Sequence, residues 1–482
     1  MSQEKQLATA GAPTDIKENK MGTMPINKLL LSMAIPMVIS MVIQALYNIV
    51  DSLYVASISE TQNEFTAISL AFAAQSFLIS VATGTGVGIN ALLSKSLGEK
   101  NHKLANTVAA NGVFLALCSY IVFLVLGFTC IDTYMGWMTN DAEVIAFGKQ
   151  YLSICYIFSF GIFGEIVMER LMISTGKTHL AMITQGIGAI VNIILDPIFI
   201  FPDGIGSLLP DSWGLDFGFG LGITGAAIAS VIGQILAFVV ALFLNAKFNK
   251  DIHLSFKGFR PSGKLIGRIY AIGIPSIIMA SIGSVMNVLF NGILNSFGAP
   301  MGKYAQNAFG AYFKLQSFIF MPIFGLNNGI VPIVAYNYGA QKRKRLLGAA
   351  KLGAAYAVGY MLIGLVLFQT IPDVLVGIFL SNPESVAVAI PCMRTISLSF
   401  IFAGACIVIG SVFQALGKSI FSMFVSIARQ LVVLIPAAYL LSLAGNIDLV
   451  WWSFPIAEIA STTISVTFFI IIYKRIISKI PD

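Results

Sequence analysis

The sequence predicts an all-α membrane protein of twelve transmembrane helices, arranged as two pseudo-symmetric lobes of six helices each. Its 482 residues are 57% hydrophobic and only 11% charged, whereas a soluble domain carries roughly 25% charged residues. The hydrophobic residues form long blocks, such as 29–50, and helices satisfy their own backbone groups within the lipid core. The two halves of the chain also share a sequence pattern, which predicts the two lobes.

Twelve hydrophobic segments are long enough to cross a bilayer, which needs roughly 20 residues in a helix. The predicted spans are 28–56, 65–97, 106–130, 143–171, 178–202, 221–246, 266–296, 304–337, 349–371, 386–416, 419–444 and 449–475. They divide the chain into a polar N-terminal tail (1–27), a first lobe (28–247), a cytoplasmic connection between the lobes (248–265), a second lobe (266–475) and a C-terminal tail (476–482).

The segments between the spans alternate in charge. Those on one side, called here the basic side, hold most of the 29 Lys and Arg residues, including the run from Lys342 to Arg345. The opposite, acidic side has only Lys303 against Glu60, Glu64, Asp132, Asp141, Asp203, Asp211, Asp216, Asp373, Glu384 and Asp448. Since short cytoplasmic loops collect Lys and Arg, we predict a multi-pass protein of the cell inner (plasma) membrane with both termini cytoplasmic. The net charge of +7 therefore reflects orientation in the bilayer, and we expect no nucleic-acid partner.

The two halves share a pattern of glycine and proline residues at a nearly constant offset. Gln75-Ser76-Phe77 matches Gln316-Ser317-Phe318 at an offset of 241 residues. At the same offset, Gly84, Gly88, Gly98 and Gly176 match Gly325, Gly329, Gly339 and Gly417. Ile35-Pro36 matches Ile274-Pro275 at an offset of 239. Six spans return the chain to the side where it began, so both halves insert with the same orientation. This arrangement is a parallel repeat, and such folds place a cavity between the halves.

Motifs for nucleotides and metals are incomplete. Gly176-Lys177-Thr178 ends like a phosphate-binding loop, but Leu171 stands where that loop requires a glycine. The run from Gly84 to Gly88 lies inside a hydrophobic span, where small residues let two helices approach closely. The three histidines are scattered and the five cysteines form no C-x-x-C pair. We therefore expect neither an enzyme nor a cofactor nor a structural metal site.

Acidic residues inside the spans are the candidates for function, because a carboxylate at the bilayer centre costs roughly 3 kcal/mol on insertion scales. They are Asp51, Glu165, Glu169, Asp196 and Glu458. We expect Glu169 to pair with the neighbouring Arg170, and Glu458 fits either a structural or a functional role. Asp51 and Asp196 have no intramembrane base nearby in sequence.

Asp51 and Asp196 each lie on a polar stripe of a predicted helix. Gln44, Tyr47, Asn48 and Asp51 follow the i, i+3, i+4, i+7 spacing of one helix face, and Asn192 and Asp196 are i, i+4 neighbours. Pro197 removes a backbone donor directly after Asp196 and loosens the helix there. These stripes predict a cation or proton site in the first lobe.

The same residues resemble the signatures of the multidrug and toxic compound extrusion (MATE) transporters. The segments that carry this resemblance are 44–51, 192–197 and 225–230, together with the repeated glycines ahead of basic loops. The likeness extends over about residues 28–474 and is greatest to a DinF-related, MepA-like bacterial branch. It implies a V-shaped pair of lobes and the export of cationic, amphipathic compounds in exchange for protons or sodium ions.

The resemblance also implies roles for individual residues. The expected ion-coupling residues are Asp51, Asn192, Asp196, Ser230 and Glu165, of which the first four could bind Na⁺ through their oxygen atoms. The expected substrate-binding residues are Gln44, Tyr47, Asn48, Met168 and Met172. The expected partners are cationic small molecules and membrane lipids, and we expect a monomer. Neither the choice between H⁺ and Na⁺ nor the substrate follows from the sequence.

The second half departs from the pattern of another branch of the family, which carries acids in its seventh and tenth helices. Here those spans have Ser281, Ser284, Asn287 and Gln414, so we predict coupling through the first lobe. The repeat partners of Asp51 and Asp196 are Phe290 and Ala437. An alternative function is a flippase for lipid-linked saccharides, which would need a basic cavity; the second half offers Lys314, Arg394 and Arg429. A major-facilitator transporter is disfavoured because its characteristic loop after the second span is missing.

Overall fold

The computed structural model describes residues 18–56, 63–202, 204 and 217–481. Glu60, Asp203, Asp211 and Asp216, predicted on the acidic side, fall outside the described residues. The helices that form the spans are Ile26–Ala56 (span 1), Asn63–Gly98 (span 2), His102–Thr129 (span 3), Ala142–Ile157 with Phe160–Ser174 (span 4), Thr178–Ile200 (span 5), Gly222–Phe248 (span 6), Gly263–Asn295 (span 7), Met301–Gly339 (span 8), Arg343–Thr370 (span 9), Pro383–Ser397 with Phe400–Ala415 (span 10), Ser419–Ile427 with Leu434–Ser442 (span 11), and Ile447–Val450 with Ser453–Arg475 (span 12).

The predicted fold class is confirmed: the described chain is helical, and its twelve spans form two lobes of six. Ten spans are single apolar stretches, and spans 4 and 10 are each two helices that meet at angles of 46° and 49°. The two bent spans occupy the same position in the two halves, so the bend belongs to the repeat. Span 11 contains a π-helical turn at Ala428–Val433. Short helices at Lys20–Thr23, Ile131–Met138 and Pro372–Gly377 lie between or before the spans.

The two lobes repeat one packing scheme. In the first lobe span 5 packs between spans 1 and 6, and span 4 packs against spans 2, 3 and 6. In the second lobe span 11 packs against spans 7 and 12, and span 10 packs against spans 8, 9 and 12. The lobes meet where spans 1 and 2 contact spans 8 and 7, respectively. Spans 1 and 2 and their repeat partners 7 and 8 therefore form the interface.

The glycines of span 2 allow span 7 to approach its backbone. A Cβ atom added to Gly84 would lie 2.9 Å from the carbonyl oxygen of Gly273, and one added to Gly88 would lie 2.3 Å from that of Ile269. Real Cβ atoms do not approach a backbone oxygen so closely. Only glycine fits at these two positions while the lobes are in contact.

The repeat partners of these glycines make the same contact with span 1. A Cβ atom added to Gly325 would lie 2.6 Å from the Cα atom of Val38, and one added to Gly329 would lie 3.0 Å from that of Ala34. The interface therefore obeys the pseudo-two-fold relation between the lobes.

A third pair of repeated glycines joins the basic ends of spans 2 and 8. A Cβ atom added to Gly98 would lie 2.0 Å from the carbonyl oxygen of Tyr336, and one added to Gly339 would lie 2.2 Å from that of Lys95. The Lys95 ammonium also lies 5.0 Å from the centre of the Tyr338 ring across the interface. All six glycine contacts lie in the half of the spans next to the basic side, so the lobes are closed there.

We predict that Gly88→Ala opens the basic side. Alanine in a helix interior is normally more favourable than glycine by about 1 kcal/mol, but here its methyl group meets the Ile269 carbonyl, and overpacking costs about 1–3 kcal/mol. Spin labels at Lys103 and Lys418, exposed on the basic ends of different lobes, measure the separation in a cysteine-free background. We expect a longer mean distance. Gly359→Ala is the control, because span 9 leaves that position exposed with nothing within 4 Å; equal distances in both variants would contradict the prediction.

Candidate functional site

The predicted acid cluster of the first lobe lies in the acidic-side half of spans 1, 5 and 6. Two glycines of span 6 bring it close to span 5: Cβ atoms added to Gly225 and Gly233 would lie 2.4 Å and 2.9 Å from the carbonyl oxygens of Phe199 and Gly188. Ser230 lies between these glycines and faces span 5. The small residues of span 6 thus put its serine against the polar stripe of span 5.

Asn192 connects Asp196 to Ser230. With its amide nitrogen facing Asp196, Asn192 Nδ2 donates to Asp196 Oδ2 at 2.8 Å, and its oxygen accepts from Ser230 Oγ at 3.2 Å and from the Ser230 backbone nitrogen at 3.0 Å. The reverse orientation would place two oxygens face to face, so the hydrogen-bond network sets this one. Asp196 is 0% exposed and its two partners are almost as deeply buried.

Span 1 adds Asp51 and Tyr47 to this group. The Tyr47 side chain lies near Ser230 and both carboxylates, and Asp51 is close enough to Asp196 for their charges to interact. Within the described residues, neither carboxylate has an ion-pair partner. Four residues predicted to couple an ion therefore come together, and their carboxylate, amide and hydroxyl oxygens are the donors that bind a hard cation or a proton.

Glu165, the fifth predicted coupling residue, lies apart from this cluster on the basic-side part of span 4. Its Oε1 atom is 3.9 Å from the position of a Cβ atom at Gly188, about one helical turn from Asn192. Glu169 follows one turn later and is 1% exposed, with one carboxylate oxygen unpartnered. The same face of span 5 thus runs past both groups of acids.

Glu169 and Arg170 do not form the direct ion pair that the sequence predicted, although their charges interact. Successive residues on a helix point about 100° apart, and no ion pair joins these two described side chains. Arg170 Nη1 instead donates to Asn328 Oδ1 at 2.9 Å, which is a contact between span 4 of the first lobe and span 8 of the second.

The predicted substrate-binding residues do not share one environment. Gln44 and Asn48 are exposed and Tyr47 is half-buried on span 1. Met168 and Met172 are 3% and 0% exposed and belong to the hydrophobic core. In this conformation the two methionines border no open space, so only the residues of span 1 are placed to meet a ligand.

Sequence reasoning missed Tyr151 and Cys155 of span 4. Tyr151 Oη donates to Gln75 Oε1 at 3.3 Å, and both Tyr151 and Cys155 lie near Asp51. Their i, i+4 spacing was visible, but a tyrosine and a cysteine in an apolar span are ordinary core residues. What distinguishes them is that the tertiary structure brings them within range of the Asp51 charge.

The second lobe has an aromatic cluster where the first has acids. Phe290, the repeat partner of Asp51, is 0% exposed. Its ring centre lies 4.7 Å from that of Phe309, 5.1 Å from that of Phe454 and 6.2 Å from that of Trp451. The predicted asymmetry of the lobes is therefore present at this position as a difference between polar and aromatic packing.

Glu458, whose role the sequence left open, is part of an ion pair. Arg429 Nη1 lies 2.9 Å from Glu458 Oε1, and Ser461 Oγ donates to Glu458 Oε2 at 3.3 Å. Arg429 lies in the π-helical turn of span 11, so that turn directs the guanidinium towards span 12. The pairing neutralises the acid of the second lobe, in contrast to Asp51 and Asp196.

Comparisons with known proteins agree over nearly the whole chain. The family model MatE matches residues 36–198 and 266–440. The multidrug export protein MepA of Staphylococcus aureus (strain MRSA252) is 24% identical over 434 residues, 90% of this chain and 91% of the relative. MepA of Staphylococcus haemolyticus is 24% identical over 431 residues, 89% of this chain and 90% of the relative.

Solved structures share the fold. An outward-facing multidrug resistance MATE family transporter of the MOP superfamily superposes with a TM-score of 0.88 at 20% identity, covering 97% of this chain and 100% of that one. A MOP superfamily transporter from Pyrococcus furiosus, described as having a binding pocket of reverse polarity, gives 0.87 at 21% identity, with coverage of 97% and 100%.

We predict that Arg429→Met destabilises the second lobe more than the double change Arg429→Met/Glu458→Gln. The single change leaves a buried carboxylate without its partner. In a fully buried pair this lowers the free energy of unfolding by about 3–5 kcal/mol, and here we expect a loss of about 2–3 kcal/mol because Arg429 is partly exposed. Thermal unfolding in detergent measures both variants. If the double variant is no more stable than the single one, the pair does not serve to neutralise Glu458.

Proposed function

The chain belongs to the MatE family of transporters, and from this premise we propose that it is an ion-coupled antiporter that exports cationic, amphipathic drugs or toxins by alternating access. The observation that carries the proposal is the pair of unpaired carboxylates, Asp51 and Asp196, inside the first lobe. The relatives that are named as multidrug export proteins support the proposal that the cargo is a drug or toxin. We propose no enzymatic step and a monomeric transport unit.

The chemistry of the cluster favours a positively charged occupant. Two acids without a basic partner cost free energy in a membrane, and a bound cation or proton lowers that cost. Gln44 and Asn48 lie exposed on the same span as Asp51, with Tyr47 half-buried between them, so this span presents polar groups to a ligand. A lipophilic cation and a coupling ion would thus compete for the same negative charge.

Competition of this kind couples the export of the drug to the entry of the ion. When a proton or Na⁺ neutralises the carboxylates, the site loses its attraction for the drug, and each ligand lowers the affinity for the other. Na⁺ would use the oxygens of Asp51, Asn192, Asp196 and Ser230, whereas a proton needs one carboxylate. The arrangement accommodates either ion, so we propose H⁺ or Na⁺ as the coupling ion.

The closed interface indicates the direction of release. All six glycine contacts lie on the basic side of the acid cluster, so the observed conformation seals the cluster from that side. With the basic side cytoplasmic, as the loop charges predict, this is the conformation that releases cargo outside the cell. Pro197 lacks a backbone donor next to Asp196 and is the place where span 5 can respond to neutralisation.

A lipid-linked saccharide flippase is the second candidate, because a structure with this fold is described as having a pocket of reverse polarity. Such a cargo carries phosphate and would need free bases. In the second lobe Arg429 is already paired with Glu458, and Lys314 Nζ lies over the Phe379 ring at 5.5 Å. Two of the three bases that the second half offers are therefore engaged in other contacts, which favours the cation exporter.

We predict that Asp196→Asn abolishes coupled export while the protein still folds and inserts. Asparagine keeps the size of the side chain but removes the charge that attracts both the drug and the ion. Inside-out vesicles, with proton and sodium gradients imposed separately, measure ethidium uptake. Export at the normal rate under either gradient would show that the coupling site lies elsewhere.

The double change Arg429→Met/Glu458→Gln is the matched control for this experiment, because it removes a buried carboxylate from the second lobe without leaving its partner unpaired. We expect it to retain more transport than Asp51→Asn, since Arg429 already neutralises Glu458. Equal losses in the two variants would shift the coupling site towards the second lobe.

A further inference from the structure

Residues 18–24, which precede span 1, pack between the two lobes at the basic side. They contain a one-turn helix, Lys20–Thr23, whose N-cap Asn19 accepts a hydrogen bond from the Met21 backbone nitrogen at 3.0 Å. Met21 is 0% exposed and part of the main hydrophobic core. We call this segment the N-terminal latch.

The latch is bound to the first lobe through Asn19. Its Nδ2 atom donates to the Thr175 carbonyl oxygen at 3.0 Å and to Asp251 Oδ1 at 3.1 Å. Asp251 is held in turn by Lys177 Nζ at 2.6 Å. Thr175 and Lys177 lie between spans 4 and 5, and Asp251 lies directly after span 6, so one side chain contacts a loop of this lobe and the start of the connection that follows it.

The latch is bound to the second lobe through its carbonyl groups. Asn337 Nδ2 donates to the Met21 carbonyl oxygen at 3.1 Å, and Arg345 Nη2 donates to those of Met21 and Met24 at 3.1 Å and 2.7 Å. Lys342 Nζ donates to the Gly22 carbonyl oxygen at 2.9 Å. These side chains lie at the junction of spans 8 and 9, and they satisfy carbonyls that a short helix leaves open.

An ion pair adds to the contact with the second lobe. Lys342 Nζ lies 2.7 Å from Glu18 Oε1, and this hydrogen bond holds the pKa of Glu18 below its usual value. Gly22 fits against the ring of Tyr336, where a Cβ atom would lie 2.9 Å from the ring carbon Cε1. Tyr336 is also the residue whose carbonyl contacts Gly98, so the latch adjoins the closed glycine interface.

We propose that the N-terminal latch holds the lobes together on the basic side and thereby sets the balance between the two conformations of the transporter. The latch is continuous with span 1 of the first lobe, so its hydrogen bonds to Asn337, Lys342 and Arg345 persist only while the lobes are together. Rocking them apart breaks these bonds. The proposal rests on alternating access, and it does not depend on the identity of the cargo or of the ion.

The test removes the contacts on the side of the second lobe. In Lys342→Ala/Arg345→Ala, we expect the population that is open on the basic side to rise by roughly tenfold, since hydrogen bonds from charged donors are the stronger class. Lys344→Ala/Lys351→Ala is the matched control: it removes the same charge from exposed positions of span 9 that have no contact with the latch. A second variant lacking residues 2–24 removes the latch without altering span 9.

Spin-label distances in lipid nanodiscs report the result. The pair at Lys103 and Lys418 measures the basic side, and the pair at Ala142 and Ser381, all exposed, measures the acidic side. We expect the first distance to lengthen and the second to shorten in both latch variants but not in the control. Unchanged distances in both latch variants, or the same shift in the control, would overturn the proposal.

This readout separates the latch from the proposed function. If the distances shift but Asp196→Asn still exports ethidium, the latch proposal is supported and the assignment of the coupling site is wrong. If the distances do not shift while Asp196→Asn abolishes export, the latch proposal is wrong and the proposed function is supported.

Discussion

The contact of backbone against backbone between the lobes is the constraint on which the rest of the structure depends. Gly84, Gly88 and Gly98 remove the side chains that would otherwise separate span 2 from spans 7 and 8, and their repeat partners do the same on span 8. Each of these glycine contacts has a counterpart across the pseudo-two-fold axis. The close interface therefore requires a glycine at all six positions. A contact of this kind is either made or lost, and it suits a molecule with two discrete conformations.

The two lobes share this frame but differ in their interiors. Where the first lobe places Asp51 against Asp196, Asn192 and Ser230, the second places Phe290 in a cluster of rings. Glu458, the acid within a span of the second lobe, is neutralised by Arg429. The two carboxylates next to the acidic side that have no ion-pair partner among the described residues, Asp51 and Asp196, both belong to the first lobe. We propose that this lobe senses the ion while the other responds through the shared interface.

The interface, the latch and the acid cluster lie at different depths of the same molecule. The latch closes the extreme basic end, the glycines close the basic half of the spans, and the cluster lies beyond them towards the acidic side. Arg170, which was expected to pair directly with Glu169, donates a hydrogen bond to Asn328 of the opposite lobe. A change at the cluster can thus reach the interface through spans 1 and 5, which pack against each other and carry Asp51, Asn192 and Asp196.

The placement of Ser230 beside Asp51, Asn192 and Asp196 was implied by the family resemblance. The sequence by itself determined the helical class, the number of spans, the repeat and the two polar stripes that carry Asp51 and Asp196. These properties follow from hydrophobic length, helical periodicity and loop charge, which are local. The tertiary structure alone decided that Glu458 meets Arg429, that Tyr151 and Cys155 approach Asp51, that Met168 and Met172 are buried, and that residues 18–24, assigned to a polar tail, pack between the lobes. Each of these depends on how helices distant in sequence cross and rotate, and side-chain spacing within one helix does not specify that rotation.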